Sequence, residues 1–275
     1  MTENDICDCK RAASQIRRDI IEMTYAVGNL GAHLGGSLSL AEILAVLYTK
    51  IVRYDKNDIA WEGRDRVILS KGHGALALYP ALALAGIIDR EELKSFKQNG
   101  SMLSGHPSLN GLPGIEFASG SLGQGLSLGV GVALALKKKQ NNDSRVFVIL
   151  GDGECDEGSV WEAAASASHY GLGNLIAVID ANVLQYDGNT ESVMKMSPFV
   201  DKWKSFGWDA IEINGHDTRE VFDAFLEQHE TPLVIIAHTI KGKGVSYMEG
   251  NKQYHNARIS REQYEIAIRE LEVEL

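Results

Sequence analysis

The sequence predicts an α/β protein, a mainly parallel sheet with helices on both faces. Three observations carry that prediction. Four short runs, "RVFVIL" from Arg145, "NLIAVID" from Asn174, "DAIEI" from Asp209 and "PLVIIAHTI" from Pro232, are nearly unbroken in apolar residues and bounded by Gly, Asp or Pro. Strands covered on both faces read this way. Helical patterns separate the runs, and strand alternating with helix implies βαβ units and parallel pairing. The 44% apolar content suffices for a sizeable core, and 23% charged residues fits a soluble globular chain.

Taken in order, the chain from about Cys9 to Leu30 suits a helix, with Ala13, Ile16, Ile20 and Met23 on one side. Ser39-Leu-Ala-Glu42 has the form of a capping box, with Ile43, Val46 and Leu47 as the apolar face behind it. "RVILS" from Arg66 is a short strand, and "GALALYPALALAG" from Gly74 a helix of small residues. Asp89-Arg-Glu-Glu92 opens another capped helix, Val160 to His169 is helical, and Asp217-Thr-Arg-Glu220 caps a further one. In the tail "SREQYEIAIRELEVEL", Ser260 and Gln263 form a capping box. Tyr264, Ala267, Ile268 and Leu271 form one stripe there. With no repeat, low-complexity segment or Ser/Gly linker, residues 1–275 are expected to form one domain.

The net charge of −10 argues against a nucleic-acid surface, which wants a basic face. Cys7, Cys9 and Cys155 make no disulfide framework, and Cys7-Asp8-Cys9 lacks metal spacing, so all three are read as reduced thiols of a cytoplasmic protein. The polar, acidic start "MTENDICDCK" is not a secretory signal, and no apolar stretch is long enough to span a bilayer.

The apolar run Val146 to Leu150 stops at Gly151-Asp152-Gly153 and meets Glu154, Asp156 and Glu157, four carboxylates within six residues. In parallel α/β sheets, ligands bind beyond the carboxyl ends of the strands. Asn182 lies just past the next run, so adjacent strands bring it beside Asp152 although the two are 30 positions apart. One carboxylate and one amide oxygen suit Mg²⁺, which takes few protein ligands and fills its octahedron from water and phosphates. Gly151 and Gly153 let phosphates approach the backbone, and a helix beginning near Glu157 aims N–H groups at them. Glu154 and Asp156 read as solvated around that helix N-terminus. Gly-Asp-Gly alone is only a strand-to-helix turn; Asn182 on the second strand makes it a candidate site.

Four histidines fall in loop-like sequence: His33 in "LGAHLGGSLS", His73 in "SKGHGA", His106 in "LSGHPS" and His255 in "NKQYHNA". All but His255 have Gly or Pro within two residues. Any one reads as a surface or cap histidine, whereas four together can supply donors, bases and anion partners to one pocket. His169, His216, His229 and His238 are read as structural. In "FASGSLGQGLSLGVGVALAL", Gly125 and Gly129 allow close helix packing. Lys241-Gly-Lys-Gly244 lacks Walker spacing and reads as a basic loop after a strand, or as support at a channel mouth.

Gly151-Asp152-Gly153, then Glu157, Gly158 and Glu162, then "LGNLIAVIDAN" resemble the thiamine diphosphate motif of GDG and a following asparagine. More closely, the chain resembles the transketolase family in its split form, where two chains share what is elsewhere one. The likeness runs from "GAHLGGSLS" to "KGKGVSYMEGNKQYHNA" in the family's order. It implies a thiamine diphosphate-binding fold of the diphosphate (PP) type. Asp152, Asn182 and the main-chain oxygen of Leu184 would hold Mg²⁺, or Ca²⁺ or Mn²⁺ in its place. Gly153, Glu157 and the loop Gly120-Ser121-Leu122 would meet the cofactor. His73 and His255 would lie near the diphosphate, and His33 and His106 along the substrate channel. Asn256 stands where the family has glycine, and Ala181 and Val183 beside Asn182 are also departures.

The family's glutamate on a pyrimidine-binding domain, its aromatic pyrimidine pocket and its sugar-phosphate arginines have no counterpart here. Glu157 and Glu162 match positions that face that domain in relatives. The resemblance therefore implies a subunit that moves a two-carbon ketol unit between sugars or sugar phosphates, by default those of pentose phosphate metabolism. Its partner would be a separate C-terminal chain in an α₂β₂ heterotetramer. Half of an oxo-acid dehydrogenase or deoxyxylulose phosphate synthase, or a non-catalytic module of the same fold, are the alternatives.

Overall fold

Five parallel strands form the central sheet of the structure, a computed structural model that describes residues 2–140 and 143–273. In chain order they are β1 (Arg66–Leu69), β2 (Val146–Gly151), β3 (Leu175–Ala181), β4 (Asp209–Asn214) and β5 (Leu233–His238). In space they run β1-β2-β3-β5-β4, every neighbouring pair parallel. The α/β reading holds. β2 and β3 are buried at every position, and their side chains alternate between two apolar layers. Phe147, Ile149, Ile176 and Val178 enter one; Val148, Leu150, Ala177 and Ile179 enter the other. A strand with a core on each side needs apolar residues at consecutive positions.

"DAIEI" departs from expectation. β4 is an edge strand in which only Ala210 is buried, and Asp209, Glu212 and Asn214 face water. With β5 on one side only, it lacks the cover that the inner strands have.

Among the described residues the helices are α1 (Glu3–Val27), α2 (Gly35–Leu38), α3 (Ala41–Val46), α4 (Ala75–Leu84), α5 (Gln124–Lys138), α6 (Gly158–His169), α7 (Thr190–Val193), α8 (Phe199–Ser205), α9 (Thr218–Phe225) and α10 (Arg261–Val273). α1, α3, α4, α9 and α10 contribute to one apolar layer, and α5, α6 and α8 to the other. α1 starts earlier than its apolar spacing predicts, because Thr2 and Asp5 form a reciprocal capping box. Asp217 caps α9 as read, accepting from Arg219 N at 2.8 Å, and the Ser260 capping box forms, with Ser260 N donating to Gln263 Oε1 at 2.9 Å and Gln263 N to Ser260 Oγ at 3.2 Å. Asp89 caps as expected, but the segment behind it, Arg90–Ser95, is a 3₁₀ helix.

Ser39 and Glu42 form no capping box. Ser39 Oγ donates to Asp180 Oδ2 at 2.7 Å, and Glu42 accepts from Arg17 Nη2 at 2.6 Å. Both side chains are buried, and buried charged partners outweigh a local cap. Cys7 is exposed, Cys9 and Cys155 are buried, and all three are free thiols. No described helix is long and apolar enough to cross a membrane.

Candidate active site

β2 and β3 pair in register as far as Gly151 opposite Asp180, so the residues after each strand emerge on one rim. Asp152 and Asn182 stand there together. Asp152 Oδ2 accepts from Val183 N at 2.6 Å and Oδ1 from Gly153 N at 2.8 Å. To present that N–H, Val183 takes φ +58°, a left-handed conformation unfavourable for a β-branched residue. Asn182 Nδ2 donates to Asp180 Oδ2 at 3.0 Å, which fixes the amide and leaves Oδ1 to accept from Leu184 N at 3.2 Å. Burial, then the neighbouring Asp180 carboxylate, push Asp152 up to about 6.

Beneath the rim, Asp180 is fully buried and accepts from Lys71 Nζ, Thr239 Oγ1, Ser39 Oγ and Asn182 Nδ2. Burial acts to raise its pKa, but the Lys71 ammonium and the hydrogen bonds from Lys71, Thr239 and Ser39 outweigh it and hold the carboxyl below its ordinary range. Lys71 Nζ also donates to Gly36 O at 2.8 Å. One ion pair thus ties together the segments that follow β1, β3 and β5 and the short α2.

Glu154, expected to be solvated, is 2% exposed. It accepts from Ser70 Oγ, from Gly123 N at 2.8 Å and from Gly151 N at 3.1 Å. Three donors make its burial tolerable. Gly123, at φ +81°, is the N-cap of α5, and a Cβ there would lie 2.5 Å from Ser159 Oγ. Glu154 therefore locks the 120–123 loop against the start of α6. Asp156 is half-buried and accepts from Gln185 Nε2 at 3.3 Å. The turn Gly153–Asp156 is a 3₁₀ turn, so α6 begins at Gly158 and not beside Asp152.

A cavity of about 300 Å³ opens over this rim, lined by Asp152, Gly153, Asn182, Leu184, Gly120 and Leu122 together with all four predicted histidines. The His33 ring centroid lies 5.7 Å from that of His73, 5.3 Å from His106 and 5.6 Å from His255. His73 and His255 stack at 5.3 Å. Burial is the first cause of a lowered pKa in each: His33 falls to about 4, His255 to about 3, His73 well below its usual value, and His106 in the same direction. These are neutral imidazoles. Ser121 and Glu157 are exposed and do not line the cavity. His216, read as structural, bonds Glu42 and the Ile240 N–H.

The sequence reading missed Lys71, Asp180, Lys241, Gln185 and Tyr186, all close to the rim. Lys241, taken for a loop charge or a support at the mouth, is 2% exposed and its Nζ donates to Leu184 O at 2.6 Å. Tyr186 stands edge-on to His255 at 5.5 Å. Asp180 had a signal, a carboxylate at the end of the apolar run "NLIAVID".

The donor set fits a hard divalent cation: one carboxylate, one amide oxygen and one main-chain carbonyl. Nδ1 of His255 is buried with no hydrogen-bond partner, as expected of a side chain that meets a ligand. The arrangement is a parallel α/β domain with a polar, histidine-lined cavity at the carboxyl ends of its strands.

Residues 9–273 match the transketolase thiamine diphosphate-binding domain. The chain is 42% identical to the 6-deoxy-6-sulfo-D-fructose transketolase subunit SqwG of Clostridium sp. (strain MSTE9), over 100% of this chain and 99% of that protein. It is 43% identical to an apulose-4-phosphate transketolase subunit of Phocaeicola vulgatus, over 93% and 90% respectively. Transketolase from Campylobacter jejuni superposes with a TM-score of 0.88 at 30% identity, over 99% of this chain and 43% of that one. The chain thus spans less than half the length of that solved structure. It belongs to the transketolase thiamine diphosphate-binding domain family. It is a transketolase subunit, one component of a ketol-transferring enzyme.

Proposed function

We propose that residues 1–275 work as the diphosphate-binding domain of a two-chain transketolase, with Mg²⁺ held by Asp152, Asn182 and the Leu184 carbonyl. The observation that carries this reading is the meeting of those residues on one rim, fixed by the β2–β3 register and the Val183 N–H. Ca²⁺ or Mn²⁺ substitutes in such an oxygen set. Thiamine diphosphate, when bound, supplies a carbon nucleophile and an electron sink.

The chain's own residues then have separate tasks. Asp152 and Asn182 bind the cation and so fix the position of the diphosphate. Gly120, Leu122 and Gly153, which line the cavity, offer backbone close to the cofactor. His73 and His255, neutral and buried, face the diphosphate end. His33 and His106 exchange protons with sugar hydroxyls along the channel, as neutral imidazoles at physiological pH. Four histidines in one cavity favour ketol transfer over an oxo-acid dehydrogenase or deoxyxylulose phosphate synthase half.

The partner is a separate pyrimidine-binding C-terminal chain that supplies the activating glutamate, with exposed Glu157 at its edge, in an α₂β₂ assembly in the cytoplasm. Two similar proteins are themselves named as subunits. The substrates are sugars or sugar phosphates, with pentose phosphates the default class.

Native mass spectrometry of the chain purified gently from its own cells tests this first. A complex with a second chain and the mass of thiamine diphosphate supports it; a cofactor-free chain without a partner, with cofactor and Mg²⁺ supplied, overturns it. In Asp152→Ala, Mg²⁺-dependent cofactor affinity is expected to vanish, and unchanged affinity would sink the metal assignment.

A further inference from the structure

A second cavity, of about 250 Å³, lies between α1, the 3₁₀ segment Arg90–Ser95 and α10, and it shares no lining residue with the histidine cavity. Asp19, Glu22, Met23 and Ala26 line it from one face of α1, as their spacing of three and four dictates. Leu93, Lys94 and Tyr264 complete the lining. Met23 and Leu93 are buried, and Tyr25 stacks on Tyr264 with ring centroids 4.4 Å apart, which holds that ring in place. The surround is therefore largely apolar, with one buried carboxyl set into it.

Asp19 is 2% exposed. Its Oδ1 accepts from Gln15 Nε2 at 3.1 Å and from Arg90 Nη2, but Oδ2, also buried, has no hydrogen-bond partner among the described residues. Burial raises the carboxyl to about 6 although Arg90 and Gln15 pull the other way, so the group is short of both donors and positive charge. The nearby cations are committed elsewhere: Lys94 Nζ lies 2.6 Å from Glu91 Oε2, and Arg18 Nε lies 2.9 Å from Glu22 Oε1. For packing alone, a neutral side chain would serve at lower cost. We propose that this cavity binds a small organic amine, its ammonium donating to Asp19 Oδ2 and its short apolar stem lying against Met23, Leu93 and the Tyr264 ring. An ammonium brings three donors and the missing charge, and a cation is attracted to the face of an aromatic ring. The volume is at the small end for ligand pockets, which limits the stem to a few carbons.

The test uses the full chain in the assembly in which it purifies, with its methionine methyl groups labelled for nuclear magnetic resonance. The probe is n-butylammonium, and n-butanol is its neutral counterpart. Met23→Leu identifies the Met23 resonance by removing it. The Met23 methyl is expected to shift saturably with n-butylammonium in the millimolar range, and n-butanol should bind roughly tenfold more weakly, the factor set by one charge-assisted hydrogen bond. Asp19→Asn keeps the shape and loses the charge, and should weaken the amine by a similar factor. If that variant does not fold, Ala26→Phe, at an exposed position of the lining, should block the probe without touching Asp19. The absence of a saturable Met23 shift overturns the proposal. So does equal binding of the alcohol, unchanged amine affinity in folded Asp19→Asn, or undiminished binding in Ala26→Phe.

Discussion

Lys71 and Asp180 form an ion pair, 1% and 0% exposed at their side chains, directly beneath the residues proposed to hold the metal. Because Asn182 bonds the same Asp180 oxygen as Lys71, the pair sets the amide from which the site is built. Lys71→Met leaves a buried carboxylate without its cation and should cost about 3–5 kcal/mol in urea unfolding. The Lys71→Met, Asp180→Asn double variant should lose less than the two single changes summed. Additive losses would show that the two side chains act independently.

The four cavity histidines make a pH prediction. Folded-state values below the free imidazole's mean that the unfolded chain takes up protons first as pH falls. Stability from this cluster is complete above about 6.5 and drains away toward about 4, the value for His33. Imidazole Cε1–H resonances of His33 and His255 should show no titration between pH 8 and about 5, and those of His73 and His106 should titrate below the free imidazole. A cavity histidine titrating near 6.5 would contradict the burial described.

Asp19 has the opposite sign. Burial, relieved in part by Arg90 and Gln15, raises it to about 6, and Oδ2 is left without a partner. A carboxyl raised in the folded state favours folding where it is protonated, so its contribution falls as pH rises from about 4 to 6. Asp19→Asn should therefore gain stability relative to the parent by on the order of 2 kcal/mol between about pH 4 and 7. Parallel pH curves for the two proteins would refute it.

Gly123→Ala tests the lock on the cofactor loop. The left-handed φ and the close approach of Ser159 together should cost about 1–3 kcal/mol. Cofactor affinity should fall with it, because the 120–122 segment can no longer seat against Glu154. Adding Ser159→Gly should restore part of the stability but not the strain from φ, which calorimetry would separate.

Much of this was legible in the sequence because it is periodic or local. The inner strands announce themselves by unbroken apolar runs, and Asp152, Asn182 and the histidines by their place at strand ends or beside glycines. What was hidden is non-local. Nothing near Ser39 or Glu42 says that their partners are Asp180 and Arg17, so a box that is sound locally gave way to buried charges far along the chain. Lys241 looked like a loop cation because its burial depends on Gly35, His216 and Leu184 at once. β4 carried an apolar pattern but no mark of the sheet edge, since strand order is a property of pairing.

The register of β2 on β3 has a consequence for folding quality. A slip of one residue would shift Asp152 along the rim by about 3.3 Å and turn its side chain to the other face. Only correctly paired chains could then capture metal and cofactor, and capture stabilises by mass action whatever binds. Loading would thereby act as a proofreading step, drawing the population toward the one strand pairing that can assemble into a working enzyme.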